Sequence, residues 1–168
     1  AFADQHGSLY VLYRSATNVV NRDMYLLVSH NKGETFRGAD ISRWNVGYCV
    51  MSSESFADSP AGALAAWETE KQAYYTRINP VTGAISSLVA APGATGARKH
   101  PAVAGNARGE TLLAWTEGMG WNKGGSVAWQ VFDKDGKPEG EKGQAPGVPV
   151  WSLVAAFPRP DGGFTVVY

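Results

Sequence analysis

Two glutamates two positions apart, Glu68 and Glu70, have the spacing that an acid and a base need to face one side of an extended strand. Thirty residues on, Arg98-Lys99-His100-Pro101 gathers two cations and an imidazole ahead of a proline. Guanidinium groups suit planar anions such as carboxylates, so Arg98, Arg14 and Arg22 are candidates for holding one. Glu68, Glu70 and Arg98 are therefore the catalytic candidates, and Arg14, Arg22, Lys99, His100, Glu117 and Trp121 the candidates for binding. Each has a plainer alternative. The arginines also serve as surface cations or as partners of Asp23, Glu68 or Glu70, the glutamates as solvated loop carboxylates, and His100 as a structural residue. Trp121 lies in Gly118-Met119-Gly120-Trp121-Asn122-Lys123-Gly124-Gly125, where flanking glycines give mobility. An indole there either stacks on a sugar face or folds back to cap a sheet.

Other chemistries are excluded. Cys49 is the only cysteine, which rules out an intrachain disulfide framework and a cysteine zinc site, and it is expected to be a small buried residue. No metal-ligand cluster or nucleotide-binding motif occurs, so no cofactor is expected. Fifteen basic side chains balance fifteen acidic ones, which argues against nucleic acid or an anionic membrane as the main partner. No apolar run approaches the roughly 18–20 residues of a membrane span. The first residues, Ala1-Phe2-Ala3-Asp4, do not read as a signal peptide.

The elements that position these residues follow from an internal repeat. Four segments begin at a turn glycine, run through about six strand residues and close on an aromatic. They are Gly7 to Tyr13, Gly62 to Trp67, Gly109 to Trp115 and Gly162 to Tyr168. An apolar strand precedes each, at 1–3, 51–57, 101–104 and 151–157. A third strand follows the first three, at 23–29, 73–78 and 126–132, ending in turns at Gly33, Gly83 and Gly136. More polar fourth strands are expected at 35–39 and 84–90, with a poorly defined one between 139 and 144. Four antiparallel strands recurring about every fifty residues predict an all-β fold, a partial β-propeller of four-stranded blades, in preference to a β-sandwich. The expected divisions of this single domain are 1–45 (lacking most of its first strand), 46–95, 96–148 and a half-blade at 149–168. A chain cut in this way is expected to be a piece of a longer one, with the remaining blades as its partner.

The turn Ser29-His30-Asn31-Lys32-Gly33-Glu34-Thr35-Phe36 resembles the Asp-box, Ser-x-Asp-x-Gly-x-Thr-Trp, of sialidases and related BNR-repeat propellers. Ser29, Gly33 and Thr35 match; Asn31 stands for the Asp and Phe36 for the Trp. At the other two turns only Gly83 and Gly136 remain. The resemblance implies a six-bladed propeller of secreted or periplasmic type, with this turn on the face away from the active site. Sialidases use a Tyr nucleophile paired with a Glu, an Asp acid/base and three arginines that clamp the substrate carboxylate. They carry an Arg-x-Pro at an inner strand. Here Lys99 stands two before Pro101 and Arg98 one earlier, so no catalytic arginine transfers, and no tyrosine is singled out as nucleophile.

The loops opposite the Asp-box turn are expected to carry function: 14–22, 68–71 and 116–125 within repeats, and 40–48, 92–100 and 145–150 between them. The expected function is a sialidase-like propeller that binds a glycan at its central pocket and hydrolyses it as an exo-glycosidase. The alternative is a non-catalytic propeller that binds protein or carbohydrate as an assembly module.

Overall fold

The computed structural model describes residues 1–94 and 96–168; Thr95, inside the expected 92–100 loop, lies outside the described residues. Among the described residues there is no helix. The chain forms two compact units, Ala1–Met51 with Pro80–Gly83, and Ser52–Asn79 with Ala84–Tyr168.

The first unit is one antiparallel meander of β1 (Phe2–Ala3), β2 (Leu9–Arg14), β3 (Met24–Ser29) and β4 (Arg37–Ser42), hydrogen-bonded in that order. Alternation explains it: Leu12, Met24, Leu26 and Val28 are buried, whereas β4 is exposed over its first four residues and forms the polar edge. The Ser29–Phe36 turn closes on itself. Ser29 Oγ accepts from Gly33 N at 2.9 Å, and Asn31 Oδ1 accepts from Thr35 N at 3.0 Å. Asn31 Nδ2 then donates to Thr35 Oγ1 at 2.9 Å, so the three polar residues and the positive φ of Gly33 (89°) define one rigid hairpin end.

The second unit holds two four-stranded meanders and a hairpin. The first meander runs through β5 (Ser55–Ala57), β6 (Ala63–Thr69), β7 (Gln72–Ile78) and β8 (Val89–Ala90). The second runs through β9 (Arg98–Gly105), β10 (Thr111–Glu117), β11 (Gly125–Phe132) and β12 (Pro138–Val148), and the hairpin pairs β13 (Ala155–Pro158) with β14 (Phe164–Val167). The repeated glycines do one job. At Gly7, Gly62, Gly109 and Gly162 φ lies between 83° and 117°, and each N–H closes a turn onto the carbonyl three residues back.

The β9–β12 sheet is covered on both faces. Leu113, Trp115, Val103 and Phe132 pack against Leu64, Ala66 and Tyr75 of the preceding sheet. On the other face Ala102, Ala114 and Val127 meet Val154, Ala156 and Val166. Successive residues of β9 and β10 thus serve opposite cores, as the two-residue period of a strand requires.

Three expectations are corrected. Cys49 is exposed, in the loop after β4, and is not a core residue. The weakly marked fourth strand near 139–144 is the longest of all, β12, its edge guarded by Glu139, Glu141 and Lys142. The strand expected at 84–90 shrinks to Val89–Ala90 and a bridge at Ile85. Ser86 replaces the missing ladder there: its hydroxyl accepts from Arg77 N at 3.0 Å, and its carbonyl accepts from Thr76 Oγ1 at 2.9 Å.

Leu113 is fully buried between the two meanders. Leu113→Ala is expected to destabilise by about 2–5 kcal/mol, whereas Glu141→Ala on the exposed edge stays within about 0.5 kcal/mol. Urea denaturation of both variants checks this; equal midpoints would contradict the two-faced core.

Candidate functional site

Pro101 shapes the region around the predicted Arg98–Pro101 cluster. Ala102 pairs with Ala114 and Lys99 with Thr116, so His100 and Pro101 together oppose the single residue Trp115. That is a β-bulge, placed where proline has no N–H to give to the ladder. His100 takes up a φ of 49°, and its Nδ1 lies 3.5 Å from Ser53 Oγ. The serines before and within β5 also satisfy the inner edge of β9. Ser52 Oγ accepts from His100 N and Ser55 Oγ from Val103 N, each at 3.2 Å.

Beyond the bulge, Arg98 pairs across the sheet with Glu117, Nε to Oε1 at 3.1 Å. Its Nη1 donates to Gln72 Oε1 and to the Ala91 carbonyl, both at 2.8 Å, and Nη2 donates to the Pro92 carbonyl at 2.7 Å. The guanidinium carbon stands 5.0 Å from the Trp115 ring centroid, and Trp115 Nε1 donates to the same Glu117 oxygen at 2.8 Å. This buried network ties the 91–92 backbone to β7, β9 and β10. Removing one partner of such a pair costs about 3–5 kcal/mol, so Arg98→Ala reports on folding before it reports on chemistry.

The other predicted residues separate into distinct places. Glu68 is 1% exposed on β6, with Lys99 Nζ 3.8 Å from its Oε2. Glu70 is exposed in the two-residue turn between β6 and β7, where Glu70 and Lys71 both have positive φ (54° and 62°). The two glutamates therefore do not share a strand face. In the first unit, Arg14 lies over Trp44 at 5.2 Å and donates to the Arg22 carbonyl at 2.8 Å, while Arg22 donates to the Asn21 carbonyl at 2.9 Å. Asp23 accepts from Trp44 N at 3.0 Å. Trp121 is exposed and does not fold back onto its sheet.

Between the innermost strands of the second unit runs an open groove of about 480 Å³, within the range of small-ligand sites. Residues 53–58, 101–105 and 153–158 line it. Sequence reasoning missed Glu54, Asp58, Leu153 and Phe157, because these strands are short and their residues are ordinary. Phe56, Leu153 and Phe157 give it apolar surface, and Ser53, Glu54 and Asp58 give it polar groups. No Lys or Arg stands among the described residues that line it. Glu54 and Asp58 are four positions apart, about 13 Å on an extended chain.

Burial between the sheets, and secondarily the charge of Lys99, holds His100 below the ordinary histidine range. The unfolded chain therefore binds a proton at higher pH than the folded one. Stability is full above the unfolded value and falls as the pH drops toward the folded value. His100→Asn keeps a residue that tolerates positive φ and removes the titration. Its melting temperature is expected to fall less steeply than that of the wild type between about pH 7 and 5; parallel profiles would contradict this.

No protein-family model matches the chain, and no curated protein does. Among solved structures it matches the Penicillium chrysogenum α-L-arabinanase complexed with arabinobiose, at a TM-score of 0.63 and 12% identity. The match covers 95% of this chain and 53% of that one, so the chain spans about half the arabinanase's length. That protein is a five-bladed β-propeller. The successive four-stranded antiparallel sheets seen here are those of the same fold class, an all-β propeller.

Proposed function

We propose that this chain is part of a propeller that binds a neutral glycan in the groove along β5, β9 and β13. The observation that carries this is the lining itself: two carboxylates, two serines and apolar side chains, without a described cation. Sugar hydroxyls donate to carboxylates, and the apolar C–H faces of a sugar ring suit Phe56, Leu153 and Phe157. A sialic acid is disfavoured on the same ground, since its carboxylate would meet Glu54 and Asp58. Arg98, the nearest analogue of a clamping arginine, already spends its donors on Glu117, Gln72 and two carbonyls. The arabinobiose held by the matched arabinanase, a neutral sugar on the same fold class, agrees with this choice.

Hydrolysis of the bound glycan, including the exo-sialidase activity that the Asp-box resemblance implies, is the second reading. The observation in its favour is His100, whose Nδ1 lies 3.5 Å from Ser53 of the groove lining and whose burial favours the neutral, proton-accepting form. Against it, Glu68 is sealed between sheets and Glu70 lies in a turn.

Calorimetric titration with arabinobiose, a wider set of neutral disaccharides and sialyllactose tests the proposal. Binding of a neutral sugar is expected, weakened about tenfold in Phe157→Ala, which removes exposed groove surface without opening a core. Preferential binding of sialyllactose, or no sugar binding at all, would contradict it.

A further inference from the structure

We infer that Trp121 and Trp151 form a second sugar-binding platform, beside the groove, that takes the extension of a longer neutral oligosaccharide; this rests on the glycan reading above. The two indoles meet edge to face with centroids 4.6 Å apart, yet remain 67% and 55% exposed. Two separate turns hold them out. Trp121 and Asn122 are the central residues of a turn in which Gly120 and Lys123 exchange both backbone hydrogen bonds, at 3.0 and 3.3 Å. Trp151 follows β12, in a turn closed by Ser152 N on the Pro149 carbonyl at 3.2 Å.

The backbone is built for this presentation. Trp151 has a φ of 64°, a left-handed conformation that a bulky side chain adopts only under constraint. A Cβ on Gly124 would strike the Val148 carbonyl, and one on Gly125 the Glu117 carbonyl. These glycines therefore seat the Trp121 turn tightly against β12 and β10, and rigidity takes the place of the mobility expected of them. Rigid aromatic rings lose little entropy when a ligand stacks on them.

The chemistry selects a sugar. At these exposures the two indoles offer roughly 300 Å² together, far below the roughly 800 Å² per partner of a standard protein interface. The exposed side chains of Asn122 and Lys123 stand on the same turn as the rings and can meet hydroxyls. Leu153, which lines the groove, is two residues from Trp151, at most about 7 Å along the chain. The platform and the groove are thus successive stations for one ligand.

The test uses the intact protein, titrated by tryptophan emission and calorimetry with neutral oligosaccharides from di- to hexasaccharide, drawn from xylan, arabinan, β-glucan and starch. Affinity is expected to rise with length in the wild type. Trp121→Ala and Trp151→Gly should lose about tenfold for the longest ligands while leaving disaccharide binding unchanged. Trp121→Phe should retain most of the affinity. Trp151→Gly also relieves the left-handed backbone, so unchanged or raised melting temperature shows that it folds. If both variants match the wild type at every length while Phe157→Ala still weakens binding, the platform is overturned and the groove stands. If the wild type binds no oligosaccharide, both fall together. A change of sedimentation mass in the variants would make the surface a self-interface and overturn the platform.

Discussion

A four-stranded meander with two apolar faces cannot stand alone in water, and the β9–β12 sheet is such a meander. Leu113 and Trp115 look one way and Ala114 the other, so the sheet has to be sandwiched between β5–β8 and β13–β14. Sandwiching brings the innermost strands β5, β9 and β13 side by side, and the groove is the space left along them. The position of the groove follows from the packing requirement.

The same packing creates a polar problem at the ends of the sheets, where backbone groups are taken out of water. Arg98 answers it at one end by holding two carbonyls, an amide oxygen and Glu117 at once, over the face of Trp115. The bulge at His100 and Pro101 answers it next door. By lifting one residue out of the ladder, it turns His100 toward Ser53 and leaves its N–H to Ser52. A cluster that looks catalytic in sequence thus combines a structural pin, Arg98, with an imidazole, His100, that meets the groove only through Ser53.

The fold was legible because its signals are local. A glycine stands where φ is positive at each turn into a second strand, and the apolar run that follows, such as Leu112 to Trp115, is read without reference to anything distant. The polar fourth strands were harder: Gly140 and Gly143 disguise β12, and the Ser86 bonds that interrupt the strand before β8 are matters of geometry. The site was less legible still. Glu68 and Glu70 have strand spacing, but Glu70 itself falls in the two-residue turn that ends the strand. Arg98 is set apart only by Gln72, Ala91 and Pro92, which no spacing rule connects to it. Trp121 stood out by its glycine-rich surroundings, whereas nothing in the sequence links it to Trp151 of another loop.

A groove edged by aromatic rings and carboxylates, set on strands fixed by two cores, is the place proposed for a neutral, many-hydroxyl ligand. The most direct measurement is the amide spectrum of ¹⁵N-labelled protein titrated with a neutral oligosaccharide. Resonances of residues 53–58, 102–105 and 153–157 are expected to shift together along one saturating curve, with those on β4 and β8 still. Shifts confined to those outer strands, or none anywhere, would contradict a ligand site on the inner strands.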